Sequence, residues 1–115
     1  MLTACSDLTE NEQYFVGRWD WNMEQEGFGE KGFIELYEDR SYSAYIESWN
    51  PTERLISDYT ERNASWSLNE NDICLHQFED TTHVCLWKSN VKADGSFQLY
   101  FKGNFIEADI IATKQ

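Results

Sequence analysis

The feature that most constrains the fold is an alternation of apolar and polar side chains from Tyr14 onward. A period of two is typical of strands with one buried face, and no segment keeps the spacing of a helix. We predict nine strands, over residues 14–23, 31–38, 42–49, 53–61, 63–68, 73–78, 82–89, 96–102 and 105–112. Short strands at such even spacing indicate an antiparallel barrel or sandwich.

The hairpin registers can be predicted by matching apolar residues across each turn. A two-residue turn at Gly103-Asn104 would place Phe101 opposite Ile106 and Leu99 opposite Ala108. The same matching places Leu68 opposite Ile73 across residues 69–72, and Leu36 opposite Ala44 across residues 39–41. Consecutive hairpins form a meander, and closing it removes the exposed edges.

The predicted fold is therefore all-β, a single antiparallel up-and-down barrel of 8–9 strands over residues 14–115. A chain of 115 residues is one domain's worth, and its 16% aromatic content supplies a large apolar area for a core. Residues 1–13 are assigned to a tether or a short helical turn, which Thr9 and Glu12 could cap.

The net charge of -12 limits the classes of partner. It repels nucleic acid and anionic lipid headgroups, so membrane contact is expected only through an anchor. It would attract a basic protein, although it can equally serve solubility alone. We interpret the numerous carboxylates, Glu30 among them, as a solvated acidic surface, and we place Trp21 and Trp87 among the aromatic residues outside the apolar face.

Gly17-Arg18-Trp19, on the first predicted strand, resembles the G-x-W motif that opens lipocalins, and residues 34–42, 65–68 and 71–75 are similar to stretches of small bacterial lipocalin-like domains. The resemblance implies an up-and-down barrel with Trp19 across its bottom and a small apolar ligand at its mouth. The glycine-rich loop 26–32 would overhang that mouth. The candidate ligand-binding residues are Trp19, Phe28, Ile34, Leu36, Trp66, Leu99 and Phe101.

Leu2-Thr3-Ala4-Cys5 resembles the lipobox of bacterial lipoproteins. The resemblance implies that Cys5 carries the lipid and that the domain is anchored in the cell envelope, at the periplasm or outer membrane. The alternative is a chance match in a cytoplasmic protein.

Two Cys-His pairs lie on consecutive predicted strands, Cys74-Leu-His76 and His83-Val-Cys85. If Ile73 faces Leu86 and Leu75 faces Val84, each cysteine lies opposite the other and each histidine opposite the other, on the outer face. Three interpretations stay open: a cross-strand disulfide between Cys74 and Cys85, two free thiols, or a zinc site on Cys74, His76, His83 and Cys85.

The sequence predicts neither catalysis nor a cofactor. It contains no Gly-x-Ser-x-Gly motif, and carboxylates this numerous carry almost no catalytic signal. The preferred function is binding of a small apolar ligand, for which we expect an interior void of roughly 300 Å³ or more. The alternative is an inhibitor or immunity protein that binds a basic lysozyme or toxin, with metal binding as a weaker possibility.

Overall fold

The computed structural model describes residues 8–58, 65–76 and 83–115. In these ranges one short helix, α1 (Glu10–Phe15), precedes nine strands. They are β1 (Gly17–Gln25), β2 (Phe28–Leu36), β3 (Tyr42–Trp49), β4 (Arg54–Asp58), β5 (Trp66–Asn69), β6 (Asp72–His76), β7 (His83–Val91), β8 (Phe97–Lys102) and β9 (Asp109–Lys114). The predicted all-β class is confirmed. The strand ends predicted within 59–64 and 77–82 lie outside the described residues.

The strands form one antiparallel sheet in the order β4-β3-β2-β1-β9-β8-β7-β6-β5. The first and last strands are neighbours, because Trp19 and Asp20 of β1 pair with Lys114 and Thr113 of β9. The sheet is therefore a meander that curls around one core.

The two ends of the curled sheet meet near the start of β3. Ser41 forms an isolated bridge with Ser65, and the backbone N–H of Trp66 donates to the carbonyl oxygen of Arg40 at 2.8 Å. The hydroxyl of Tyr42 donates to the carbonyl oxygen of His76 at 3.0 Å. These contacts join the β3 side of the barrel to β5 and β6.

The inner faces of the strands bury a continuous apolar core. Trp21 and Trp87, placed outside by the sequence analysis, belong to this core and pack on Phe101, with ring centroids 4.8 and 5.8 Å from it. Trp21 lies two residues after Trp19 on β1 and so shares its inner face. Trp87 is turned inward by a bulge, described below.

Helix α1 covers one end of the barrel, which we name the closed end. Its capping box is present, with Thr9 Oγ1 accepting from the N–H of Glu12 and the Glu12 side chain accepting from the N–H of Thr9. Phe15 is fully buried against Phe97, and the Trp19 indole N–H donates to the Phe15 carbonyl oxygen at 2.9 Å. Trp19 thus lies at the closed end, next to α1.

Of the four predicted registers, those of β8–β9 and β2–β3 are wrong, each by an even number of residues. In β8–β9, Phe101 faces Ile110 rather than Ile106, and residues 103–108 form a longer loop. In β2–β3, Leu36 faces Tyr42 rather than Ala44. Even shifts keep the same residues inside, so the apolar pattern does not distinguish between them. The predicted pairing of Leu68 with Ile73 is confirmed.

An ion pair fastens α1 to the loop between β2 and β3. The guanidinium of Arg40 donates to both carboxylate oxygens of Glu12, at 2.9 and 3.2 Å. This hydrogen bonding is the largest cause that lowers the pKa of Glu12 from 4.5 to about 2, and the N–H and hydroxyl of Thr9 lower it further, against the opposing effect of burial.

We expect Glu12→Gln to remove a pH-dependent part of the stability. Because the folded-state pKa is depressed, this part is fully present above about pH 4.5 and is lost as the pH falls toward about 2. The wild type should exceed the variant by on the order of 2–3 kcal/mol at pH 7, and the two should converge near pH 2. Urea unfolding across this range measures the difference. Glu107→Gln, an exposed carboxylate, is the control, and equal stability of Glu12→Gln and wild type at pH 7 would contradict the account.

Candidate functional site

Six of the seven predicted ligand-binding residues are buried in the packed core of the barrel. Their side chains are at most 2% exposed and belong to the core, and they are Trp19, Ile34, Leu36, Trp66, Leu99 and Phe101. The seventh, Phe28, is 37% exposed and borders a surface depression with Gln25 and residues 105–108. Of the seven, Phe101 alone also borders the cavity described next.

A cavity of about 200 Å³ lies at the end of the barrel away from α1, which we name the mouth. It is bounded by β2, β3, β4, β7, β8 and the loop that follows β8. Its lining combines apolar and polar side chains, from Glu30, Ile46, Ser48, Leu55, Ser57, Val84, Leu86, Phe101, Lys102, Gly103 and Asn104. The volume is smaller than the roughly 300 Å³ expected for a typical ligand pocket.

A buried carboxylate, Glu30, lies in the wall of this cavity and is 1% exposed. Its Oε1 accepts from the hydroxyl of Ser48 at 3.0 Å and from the backbone N–H of Asn104 at 3.4 Å. The Asn104 side-chain amide donates in turn to Ser48 Oγ at 2.9 Å. The other oxygen, Oε2, is buried and has no hydrogen-bond partner among the residues that the structure describes.

Burial is the largest influence on the protonation of Glu30, and it raises the pKa of this carboxyl above 4.5. The hydrogen bonds from Ser48 and Asn104 oppose that rise in pKa. The indole N–H of Trp21 is near enough to oppose it as well, but it does not reach hydrogen-bonding geometry and is itself buried without a partner within the described ranges. Glu30 is thus a desolvated acid with one oxygen hydrogen-bonded and the other without a partner among the described residues.

The interpretation of Glu30 as solvated surface is wrong, and the strand parity explains why. The side chain shares the inner face of β2 with Ile34 and Leu36, four and six residues later. The predicted strand begins at residue 31 and leaves Glu30 in the preceding glycine-rich loop. In the structure β2 begins at Phe28. The even spacing of Glu30 from Ile34 and Leu36 is therefore the sequence feature that could have predicted its burial.

Two glycines allow close packing near Glu30, Gly29 on the opposite face of β2 and Gly103 beside the carboxylate itself. The Trp49 ring occupies the position that a Cβ on Gly29 would take, so only glycine allows the indole to cover β2 there. A Cβ on Gly103 would be 2.9 Å from Glu30 Oε1, so the loop after β8 approaches the carboxylate closely for want of a side chain.

Cys74 and Cys85 are joined by a disulfide, with Cα atoms 3.9 Å apart. The predicted pairings of Leu75 with Val84 and of His76 with His83 are confirmed, but Ile73 faces Trp87 instead of Leu86. The shift marks a bulge that places one extra β7 residue in this stretch and turns Trp87 into the core. Cys74 is buried rather than exposed on the outer face.

The disulfide is incompatible with the zinc alternative on Cys74, His76, His83 and Cys85, because a bonded sulfur cannot act as a thiolate ligand. Across the part of the chain that is described, no group of three or more His, Cys, Asp and Glu side chains could hold a metal ion. Within the same ranges, no helix is long and apolar enough to cross a bilayer. The lipobox residues, Leu2 to Cys5, lie outside the described residues.

Comparisons with models of known protein families, with curated proteins and with solved structures give no match for this chain.

Proposed function

We propose that the protein is a non-enzymatic, lipocalin-like binding protein whose barrel mouth takes a small, partly apolar ligand. The observation that carries the proposal is the cavity of about 200 Å³ at the mouth, where a buried polar network adjoins apolar side chains. Pockets that combine an apolar lining with a few convergent polar groups are typical of small-molecule sites.

The size of the cavity sets the size of the ligand. It is below the roughly 300–1,000 Å³ of sites for drug-sized molecules. An apolar cavity of roughly 150 Å³ is nevertheless large enough to bind benzene. The ligand is therefore a compact molecule about the size of one ring with a short substituent.

The rival function, binding of a basic protein, has the net charge of -12 in its favour. A surface that binds a basic protein is expected to expose an open aromatic patch. In the structure, two large aromatic residues of the outer face are covered by arginine side chains. The guanidinium of Arg18 lies 3.9 Å from the ring centroid of Phe33, and that of Arg54 lies 5.0 Å from the ring centroid of Trp49. These contacts favour the small-ligand proposal.

We further propose that the domain is displayed at the bacterial cell envelope through a lipid on Cys5. The disulfide supports this location, because such bonds persist in oxidising compartments. Mass analysis of the protein from its native membranes should find diacylglycerol on Cys5 as the first residue. An unmodified cysteine preceded by Ala4 would contradict this location.

The mouth cavity is tested by filling it. Ser57 lies on β4 and borders the cavity, while Ile56 is the next residue, is 57% exposed and points to the opposite face. We expect Ser57→Phe to weaken binding of benzyl alcohol by about tenfold or more, because the new ring occupies the cavity.

Ile56→Phe is the matched control and should bind as the wild type does. Amide chemical-shift changes at Ser48, Phe101 and Asn104 during titration locate the ligand. The proposed function is wrong if neither benzyl alcohol, benzylamine nor benzoate shifts these amides at millimolar concentration.

A further inference from the structure

We propose that the ligand carries an organic ammonium group that pairs with Oε2 of Glu30. This inference rests on the proposed function, because it names the chemistry that the same mouth cavity selects. The ammonium would donate to the free carboxylate oxygen, and the rest of the ligand would lie against the apolar wall.

The hydrogen bonds of Glu30 leave one oxygen for the ligand. Both described donors, the Ser48 hydroxyl and the Asn104 backbone N–H, converge on Oε1. Oε2 is buried, is in a residue that borders the cavity, and has no partner within the described ranges. An unsatisfied buried acceptor costs free energy, and a donor that enters the cavity removes that cost.

The charge of the site favours a cation over a neutral donor. Pairing of buried ions often yields little, because both ions must lose their hydration. Here folding has already removed water from the carboxylate, so the ligand alone is desolvated on binding. The fixed anchor from Ser48 and Asn104 also holds the carboxylate in place.

The remaining charged residue in the cavity wall does not neutralise Glu30. Among the lining residues that the structure describes, Lys102 is the one cation, and its Nζ lies 3.0 Å from Asp109 Oδ1 with the side chain 70% exposed. The described groups that face Glu30 from the packed elements are Ser48 of β3, Trp21 of β1 and Asn104 of the loop, and none of these three carries charge at neutral pH.

The apolar wall suits a hydrophobic body on the ammonium. Ile46, Val84, Leu86 and Phe101 border the same cavity as Glu30. A ligand with a short spacer between a ring and its nitrogen can contact these side chains while the nitrogen reaches Oε2. Benzylamine has one carbon between its ring and its ammonium group. Benzyl alcohol and benzoate are of similar size and carry a neutral hydroxyl and an anionic carboxylate, respectively.

The experiment measures the dissociation constants of benzylamine, benzyl alcohol and benzoate by amide chemical-shift titration at neutral pH. In the wild type we expect benzylamine to bind about tenfold or more tightly than benzyl alcohol, and benzoate to bind most weakly. Glu30→Gln should remove the preference for benzylamine while it retains binding of benzyl alcohol. Glu35→Gln, on the same strand but outside the cavity, is the matched control and should keep the preference.

A second measurement uses the wild type alone, in case Glu30→Gln fails to fold. Affinity for benzylamine should rise as the pH increases through the titration of Glu30, since the carboxylate must be charged, while affinity for benzyl alcohol should change little. Asp109, which pairs with Lys102 and does not border the cavity, is the control, and Asp109→Asn should leave this pH dependence in place.

The outcomes separate this inference from the function on which it rests. If benzyl alcohol and benzylamine bind equally at the mouth, Oε2 takes no part in binding and the ammonium proposal is wrong, while the binding function stands. If benzoate binds most tightly, a protonated Glu30 acts as the donor, and the ammonium proposal is again overturned. If none of the three binds, the binding function itself fails.

Discussion

Burial of one face of a single sheet is the constraint on which the rest of the structure depends. Each strand sends alternate side chains inward, and pairing of β1 with β9 lets one continuous sheet curl around them. At the closed end Trp19, Phe15 and Phe97 fill the interior, and the Glu12–Arg40 pair fastens α1 over it. The aromatic residues thus fill the interior at the closed end, while the cavity beside Glu30 lies at the mouth.

At the mouth the inner face changes from apolar to polar, and this change costs stability. Because the pKa of Glu30 is raised in the folded state, that state binds this proton more tightly than the unfolded chain does. The cost is absent below pH 4.5 and develops as the pH rises through the folded-state pKa. A methionine or leucine would pack there without it. Retaining a half-satisfied buried carboxylate is expected of a binding site and not of a core.

The sequence predicted the strand faces better than the strand partners. Alternation decides which side chains point inward, and the Phe101 and Leu36 registers slipped by four and two residues without changing a face. The bulge beside Cys85 leaves no mark in that pattern, so the inward turn of Trp87 could not be read from it. The burial of Glu30 was not predicted, because most of the 21 acidic residues of such a chain are expected on the solvated surface. Its even spacing from Ile34 and Leu36 does predict an inward side chain. The loop after β8 contributes to the lining of the cavity. The predicted register gave this loop only two residues, so the cavity could not be predicted.

The central claim is that Glu30 is a desolvated carboxylate and that its Oε2 binds a ligand cation. The most direct test is a ¹³C NMR titration of its side-chain carboxyl carbon, with and without saturating benzylamine. The account predicts a midpoint above 4.5 in the free protein and a lower midpoint in the complex, because an ammonium partner favours the charged form. A midpoint at or below 4.5 in the free protein, or one that benzylamine leaves unchanged, would contradict it.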